Sequence, residues 1–342
     1  MENPILVEVH RGEIVESFHR GVICVVDENN ELLFSLGDIH QMCYPRSSMK
    51  FLQHIPLLES GAVLKYGFTL KEIAVMCGSH NSEKMHLETV ASILSKIGLS
   101  ELDLKCGAHL PTLSEDIKDM YQNDKKPTDI YNNCSGKHAG FLAYCMYYNV
   151  DTDDYLNPNH PLQQQIKKVC AEMYEVSEES MLSAIDGCSA PVYSVSVLHQ
   201  AIGYKNLAAT SNYSDARKQA CALIIEAVKS YPEMVAGTNR YCTDMMRICG
   251  DEIVGKTGAE GVYCMSLYNK KIGVCIKIDD GKMLPQYNVA QAFISSLKLF
   301  PIEKLAPLHK YLQEDILNWN HLKTGVLKPS ELLLTELKRQ FI

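Results

Sequence analysis

The chain has 342 residues, and 33 lysines and arginines against 41 aspartates and glutamates give it a formal net charge of −8. Its hydrophobic fraction of 46 % and charged fraction of 22 % are ordinary for a globular protein, with enough chain for one large domain or two small ones. The acidic balance argues against a protein that binds nucleic-acid phosphates through a basic stripe, and against one held on anionic lipid.

The first residues show neither the basic nor the apolar segment of a secretory signal, and the longest apolar run is too short to span a membrane. Thirteen cysteines, an odd number without any C-x-x-C pair, are typical of reduced thiols rather than of a disulfide framework. We therefore expect a cytoplasmic enzyme or binding protein in which most cysteines are small buried apolar residues.

The predicted elements begin with strands and end with strands. Alternating or β-branched residues predict strands at 5–9, 21–26 and 31–34, and helical spacing follows from residue 46, where Pro56 should kink or split the helix. Further helices are predicted at 69–76, 82–97 with Ser82 as the N-cap, 136–149, 160–174, 194–203, 214–230 and 241–249. A hairpin of strands at 262–268 and 272–278 precedes a helix at 288–299.

This order predicts an α+β fold. Strands from both ends of the chain should form one antiparallel sheet packed with helices, because segregated runs of strands and helices are typical of that class. The mostly helical region, at about 62–250, is then inserted between the N-terminal and C-terminal segments of the sheet. We expect residues 1–342 to form a single domain.

The first candidate motif is S-x-x-K, formed by Ser47 and Lys50. Three residues apart on a helix, the two side chains share a face. A serine hydroxyl becomes a nucleophile only when a base takes its proton, and a lysine is such a base only when burial or a nearby cation such as Arg46 disfavours its ammonium form. The pattern occurs often by chance, so on its own it predicts no more than a solvated helical turn.

The second motif is K-T-G at 256–258, just before the late hairpin. A K-T-G element far downstream of S-x-x-K is typical of serine acyl-transfer enzymes of the β-lactamase and penicillin-binding class. The overlapping stretch at 250–257 also satisfies the P-loop pattern, which requires a preceding buried strand and a following helix. Here a helical pattern precedes and β-rich sequence follows, so we interpret the P-loop match as false and keep nucleotide binding as an alternative.

A polar cluster, N-N-C-S-G-K-H-A-G, opens a helix at residues 132–140. Free backbone N–H groups at a helix start favour an anion such as a carboxylate, and small residues let a ligand approach the backbone. Cys134, Lys137 and His138 fall at i, i+3 and i+4 within it. The cluster therefore indicates a binding site more than an ordinary capped helix start.

Two shorter motifs complete the set of candidates. D-G-C-S-A-P at 186–191 offers Asp186, whose carboxylate either holds an ammonium or makes an ordinary Asx turn. Ser79, within C-G-S-H-N at 77–81, places a hydroxyl on a loop between two helices. Taken singly, neither motif decides a function.

Taken in order, these segments resemble the asparaginase II family, the rhizobial type of L-asparaginase that is unrelated to the threonine-nucleophile asparaginases. The resemblance runs from about residue 7 to about residue 300. It rests on V-E-V at 7–9 with R-G at 20–21, P-R-S-S-M-K at 45–50, G-S-H at 78–80, the segments at 132–140 and 186–191, and K-T-G-A-E-G-V at 256–262. Phe51 departs from the family, which often has proline there.

The resemblance implies a serine β-lactamase-like fold, a homodimer and a set of site residues. The implied catalytic groups are Ser47 with Lys50 as its paired lysine, and Ser79 with Lys256 as a second pair. The implied zinc ligands are Cys134, Lys137 and Cys188, and the implied active-site positions around the substrate are Arg46, His138 and Asp186. Without the resemblance, Cys134 and Cys188 would be interpreted as two buried thiols.

The implied activity is hydrolysis of L-asparagine to L-aspartate and ammonia by a serine acyl-enzyme mechanism, with no organic cofactor. Glutamine stays open as the substrate, because one methylene is worth only about 1–3 kcal/mol in a pocket. A β-lactamase-like or peptidase-like acylase and a P-loop nucleotide-binding protein stay open as well. A catalytically silent zinc-binding or scaffold protein ranks last, because every residue that the enzyme needs is present.

Overall fold

The computed structural model describes residues 2–341. Its strands are β1 (Ile5–Arg11), β2 (Ile14–Val26), β3 (Leu32–Leu36), β4 (Met42–Cys43), β5 (Ser183–Ile185), β6 (Pro191–Tyr193), β7 (Val195–Ser196), β8 (Ile253–Gly258), β9 (Val262–Leu267), β10 (Ile272–Ile278), β11 (Glu314–Leu317) and β12 (Lys323–Pro329). Its α-helices are α1 (Lys50–Gln53), α2 (Ile55–Glu59), α3 (Ala62–Tyr66), α4 (Leu70–Met76), α5 (Lys84–Lys96), α6 (Ser114–Gln122), α7 (Ser135–Tyr148), α8 (Pro161–Tyr174), α9 (Val197–Asn206), α10 (Asp215–Ser230), α11 (Pro232–Val235), α12 (Tyr241–Cys249), α13 (Met283–Ser296), α14 (Ile302–Leu305), α15 (His309–Leu312) and α16 (Glu331–Phe341). A 3-10 helix over Arg46–Met49 leads directly into α1.

The largest sheet has eight strands in the order β11-β12-β1-β2-β10-β9-β8, and β3 also pairs with β2. Every pairing in it is antiparallel. The long strand β2 joins the sheet together, because its first half pairs with β1 and its second half pairs with β10 and β3. The predicted α+β class, with strands from both ends of the chain in one antiparallel sheet, is confirmed.

The chain divides into two compact units. The first comprises the residues up to Ser48, Val195–Asn206 and the residues from Ile248 onward, and it holds the eight-stranded sheet with α9 and α13 packed on it. The second comprises Met49–Ser194 and Leu207–Arg247. In the second unit α4 packs against α5, α7, α10 and α11, and the only paired strands among its described residues are β5 and β6.

Several predicted elements are confirmed and others are corrected. The helix is interrupted at His54, between α1 and α2. This interruption is expected from Pro56, because proline has no backbone N–H to donate within a continuous helix. The helix predicted from residue 194 instead begins at Val197, because the preceding residues enter β6 and β7. The late helix lies at Met283–Ser296, a few residues earlier than predicted.

The prediction of Ser82 as an N-cap is wrong. The helix begins at Lys84 and its N-cap is Glu83, whose backbone N–H donates to Nδ1 of His86. The Ser82 hydroxyl instead donates to the carbonyl of Tyr131, so it does not accept from the first helical turn.

The backbone at 250–257 excludes a P-loop. Helix α12 ends at Cys249, and Lys256 and Thr257 lie inside strand β8. A P-loop needs a strand before the glycines and a helix whose free N–H groups follow them, and neither is present here. The interpretation of that pattern as a false match is therefore confirmed.

The described residues also bear on membrane and redox context. Between residues 2 and 341, no helix combines the length and the apolar character that crossing a bilayer requires. All thirteen cysteines lie outside disulfide bonds, and all but Cys43 are buried.

Gly273 of β10 tests the packing of α9 on the sheet. A Cβ at this position would overlap the carbonyl oxygen of Ala201 and the backbone of Lys205, both in α9. We expect Gly273→Ala to lower the free energy of unfolding by about 1–3 kcal/mol or more, because helix and strand must move apart. Gly187→Ala is the matched control, since a Cβ there meets no atom within 4 Å. Equal urea midpoints for the two variants would contradict this packing.

Candidate functional site

A buried lysine contacts a serine hydroxyl in the second unit. Lys50 begins α1 with only 1 % of its surface exposed, and its Nζ donates to the carbonyl of Gly78 at 2.6 Å and to Oγ of Ser79 at 2.8 Å. The chain carrying Ser79 is held closely, because the Ser79 N–H donates to the carbonyl of Val235 at 2.8 Å. Two of the four predicted catalytic residues therefore meet, in a pairing that the motifs did not predict.

Gly78 explains why this loop can present its carbonyl and hydroxyl to Lys50. A Cβ on Gly78 would lie 2.5 Å from the carbonyl oxygen of Met234, closer than such atoms can pack. Only glycine lets the loop after α4 lie against the backbone of α11. The glycine of the G-S-H motif is therefore required, because the loop and α11 lie too close together for any side chain at this position.

The three predicted metal ligands form a second buried cluster in the same unit. Nζ of Lys137 lies 2.9 Å from Sγ of Cys188, and the thiol of Cys134, which also interacts with Cys188, donates to Oδ1 of Asn133 at 3.0 Å. Cys134 directly precedes α7, Lys137 lies in its first turn, and Cys188 comes from the loop between β5 and β6. No more than 5 % of any of these residues is exposed, so all three groups are withdrawn from water.

The cluster is a thiolate held beside an ammonium. The neighbouring Cys134 thiol and the adjacent ammonium of Lys137 hold the pKa of Cys188 far below its usual range, against the opposing effect of burial. The interaction with Cys188 and burial raise the pKa of Cys134. Burial acts to lower the pKa of Lys137, but the Cys188 thiolate prevails and raises it. Without a metal, the arrangement is a neutral thiol, an ammonium and a thiolate.

His138 completes this cluster through a defined proton arrangement. Tyr155 Oη accepts the backbone N–H of Lys105 at 2.9 Å and lies 2.7 Å from Nδ1 of His138. Burial lowers the pKa of His138 to about 4, so the imidazole is neutral and Nδ1 accepts the tyrosine proton. Nε2 then carries the ring proton and is buried without a hydrogen-bond partner among the described residues, and the imidazole helps to lower the pKa of Cys188. No sequence motif marked Tyr155, which lies in a polar loop.

The donor set fits zinc. One amine nitrogen and two sulfurs interact in this cluster, with 2.9 Å between Nζ of Lys137 and Sγ of Cys188, and Zn²⁺ accepts nitrogen and sulfur ligands in a tetrahedral arrangement. Among residues 2–341, no three carboxylate, imidazole or thiol side chains form such a group. Lys137 would therefore have to be the third ligand, and it would have to give up its proton.

Asp186 lies in a backbone turn, in which the Ser189 N–H donates to its carbonyl at 2.9 Å, and it also acts on the cluster. Its Oδ1 accepts the N–H of Gly187 at 2.8 Å, and its half-buried carboxylate helps to raise the pKa of Lys137.

His80 joins the loop after α4 to helix α7. Its Nδ1 accepts the Ser82 N–H, so its Nε2 donates to Ser135 Oγ at 3.0 Å. His80 was not among the predicted site residues.

The first unit holds the other predicted residues. The K-T-G strand reaches the segment before the S-x-x-K serine, because a Cβ on Gly258 would overlap the carbonyl of Pro45. Arg46 adopts a left-handed φ of 54°, and its guanidinium lies 3.9 Å from the Glu260 carboxylate. Lys256 is 1 % exposed, and its Nζ donates to the carbonyl of Thr257 at 2.8 Å.

Ser47 and Ser48 differ in their surroundings. Ser48 is buried, its Oγ donates to the carbonyl of Pro45 at 2.8 Å, and its own carbonyl accepts from Tyr204 Oη at 2.6 Å. Ser47 is half-buried and belongs to the 3-10 helix Arg46–Met49. Helical backbone is thus continuous over S-x-x-K, as predicted. The roles assigned to all ten site residues stay predictions.

Comparison with known proteins gives one family and several remote structures. The family profile described as L-asparaginase II matches residues 7–329. No individually curated protein sequence matches the chain. The similar solved structures include a β-lactamase from Mycobacterium bovis, with 14 % identity, coverage of 85 % of this chain and 94 % of that one, and a TM-score of 0.38. They also include a D-alanine carboxypeptidase from Burkholderia cenocepacia, with 11 % identity, coverage of 78 % and 90 %, and a TM-score of 0.38.

The state of Cys188 can be measured directly. In protein freed of metal, we expect one thiolate to persist at mildly acidic pH, because a depressed pKa keeps the charged form present until the pH falls below it. The ultraviolet absorbance of the thiolate should therefore be lost in Cys188→Ser and shift to higher pH in Lys137→Gln, which removes the neighbouring cation. Cys221→Ser is the control, since that thiol has a raised pKa. A thiolate signal that Lys137→Gln leaves unmoved would contradict the assignment.

Proposed function

Because the chain belongs to the L-asparaginase II family, we propose that it hydrolyses L-asparagine to L-aspartate and ammonia through an acyl-enzyme formed on Ser47. Family membership supports an amide hydrolase. The observation that carries the proposed mechanism is the hydrogen bond from the buried Lys50 amine to the Ser79 hydroxyl. A buried lysine paired with a serine is typical of an activated nucleophile and the group that carries its proton.

The proposed acylation uses Lys50 as the base. Its amine takes the proton of Ser47 Oγ, and the oxygen attacks the side-chain amide carbon, forming a C–O bond while the carbonyl electron pair moves onto oxygen. Backbone N–H groups stabilise the resulting oxyanion. Collapse of this intermediate breaks the C–N bond, and the nitrogen leaves as ammonia after receiving a proton.

That proton reaches the leaving nitrogen through Ser79. The Ser79 hydroxyl accepts a hydrogen bond from Lys50 at 2.8 Å, so it can pass a proton on while Lys50 replaces it. We assign Lys256, the buried lysine predicted as the partner of Ser79, to the same proton transfer. Water then attacks the β-aspartyl ester, Lys50 again acts as the base, and Ser47 is released with L-aspartate.

The remaining predicted residues act on the substrate. We assign the α-ammonium group to the Asp186 carboxylate and charge balance at the nucleophile to Arg46. His138 orients the substrate site from the protein interior, because its ring is fully buried beside Tyr155 and Cys188.

Zinc at Cys134, Lys137 and Cys188 would supply a fixed positive charge that tunes substrate binding. The chain's own part is to hold the two sulfurs and the amine together out of water, with Cys188 already ionised. Lys137 and Cys134 each release a proton to become ligands. Catalysis by the serines and lysines does not require the metal.

The resemblance and the composition add two further proposals, a homodimer and a cytoplasmic location. The first comes from the family, and the second from thirteen cysteines outside disulfide bonds. No step of the mechanism depends on either.

Removing the nucleophile or its base should abolish turnover. We expect Ser47→Ala and Lys50→Met each to lower kcat for ammonia release from L-asparagine by roughly 10³–10⁶-fold, and the double variant to be no worse, because the two groups act as a unit. Ser48→Ala is the matched control, since that neighbouring hydroxyl is buried and donates to the carbonyl of Pro45, and this variant should keep kcat within about tenfold.

The same ammonia assay separates the competing activities. Wild-type ammonia release by Ser47→Ala would end the assignment of the nucleophile. Release from L-glutamine in preference to L-asparagine would identify a glutaminase, and turnover of the β-lactam nitrocefin without either amide would identify a β-lactamase-like acylase.

Metal removal should affect binding more than chemistry. We expect a chelator to raise KM for L-asparagine about 10–100-fold while kcat changes little, with recovery on addition of Zn²⁺, because the ligands position substrate and the serines react. Elemental analysis before and after chelation counts the zinc bound. A loss of kcat at unchanged KM would contradict the positioning role.

A further inference from the structure

A buried imidazole outside the predicted site lies between two of its lysines. His54 occupies the break between α1 and α2 with 1 % of its surface exposed. Its Nδ1 is 2.9 Å from the backbone carbonyl of Lys50, and its Nε2 is 3.4 Å from the backbone carbonyl of Lys137. One ring therefore spans from the helix that carries the proposed base to the helix that carries the proposed metal ligand.

The contact with Lys50 follows from the broken helix. In a continuous α-helix that carbonyl would accept the backbone N–H four residues on, but the His54 N–H turns to the carbonyl of Leu52 instead. Pro56 prevents the helix from running straight on. The His54 side chain supplies the donor that the backbone no longer gives, so it caps the turn from which Lys50 projects.

The protonation of the ring is defined. A carbonyl oxygen can only accept, so a ring nitrogen that bonds to one must carry the proton. The 2.9 Å contact has hydrogen-bond length, whereas 3.4 Å lies at its limit, and we therefore place the proton on Nδ1, donating to Lys50. The Nε2 edge of the ring packs against the backbone of α7 and keeps that helix apart from α1.

Helix α7 is shaped to receive this ring. His54 stacks on Phe141 with ring centroids 5.7 Å apart and planes 24° apart. A Cβ on Gly140 would lie 2.6 Å from Nε2 of His54, so the last glycine of the N-N-C-S-G-K-H-A-G motif is the residue that admits the imidazole. Phe141 also contacts the proposed metal ligand, because Nζ of Lys137 lies 5.4 Å from its ring centroid.

We propose that His54 is a positioning residue for the reaction, holding the Lys50 backbone so that its amine stays on Ser79 and spacing α1 from the helix that carries Lys137. The role in turnover rests on the proposed function, whereas the geometric role does not. A core histidine that only fills space would do neither.

Two variants separate positioning from space filling. In His54→Asn, the side-chain amide nitrogen falls near the position of Nδ1 and can still donate to Lys50, whereas the longer side chain of His54→Gln places its amide near Nε2. We expect Asn to keep kcat within about tenfold and Gln to lower it about 10²-fold at nearly unchanged KM, because a shift of about 1 Å at a reacting group costs that much. Thermal midpoints of both variants check that the difference is not one of folding.

Crystal structures of the variants give a readout that needs no activity. The distance from Lys50 Nζ to Ser79 Oγ should remain near 2.8 Å in His54→Asn and exceed hydrogen-bonding length in His54→Gln. Gly140→Ala approaches the same contact from α7, so its added methyl should displace the ring and lengthen that distance too. The alanine variant therefore tests the proposal if His54→Gln does not fold.

The outcomes keep the two proposals apart. An unchanged Lys50–Ser79 contact in the glutamine or alanine protein, or equal kcat losses in the asparagine and glutamine proteins, overturns the role of His54. A wild-type protein that releases no ammonia from L-asparagine overturns the proposed function, while the structures of the variants still decide whether His54 positions Lys50.

Discussion

Burial of lysine is the constraint on which the candidate residues of both units depend. Lys50, Lys137 and Lys256 are each no more than 2 % exposed, and an ammonium withdrawn from water is costly unless partners replace its hydration. Each lysine has a different partner: a carbonyl with a hydroxyl, a thiolate, and a backbone carbonyl. Such costs are expected at functional sites, so buried lysines with specific partners are candidates for functional groups.

Close approach of backbone is what supplies those partners. Gly78 lets its own carbonyl reach Lys50, Gly140 leaves room for His54, and Gly258 brings the K-T-G strand against Pro45. In each case a methyl group would meet a carbonyl or ring at a distance that atoms do not adopt. The glycines of the three motifs are therefore needed for the same physical reason: they leave room for close contacts with polar atoms in a packed interior. Backbone flexibility is not the reason.

Much of the fold could be predicted because its causes are local. Alternation indicated β10, helical spacing indicated α8 and α10, and Pro56 indicated the break after α1. The N-cap of α5 was predicted wrongly, because the Ser82 hydroxyl is taken by Tyr131, a residue far along the chain. No local pattern reports that competition. The site shows the same division, since the motifs identified the residue types but not which amine meets which hydroxyl.

The sequence by itself determined the α+β order of elements, the helical backbone through S-x-x-K and the chemical character of each motif, because these follow from periodicity and from groups a few residues apart. Only the tertiary structure decided that Lys50 meets Ser79 across 29 residues, that Lys137 meets Cys188 across 51, and that the Cys188 sulfur is ionised. The reason is physical: hydrogen-bond partners distant along the chain and the removal of water set the charge of a buried group, and both exist only once the chain has packed.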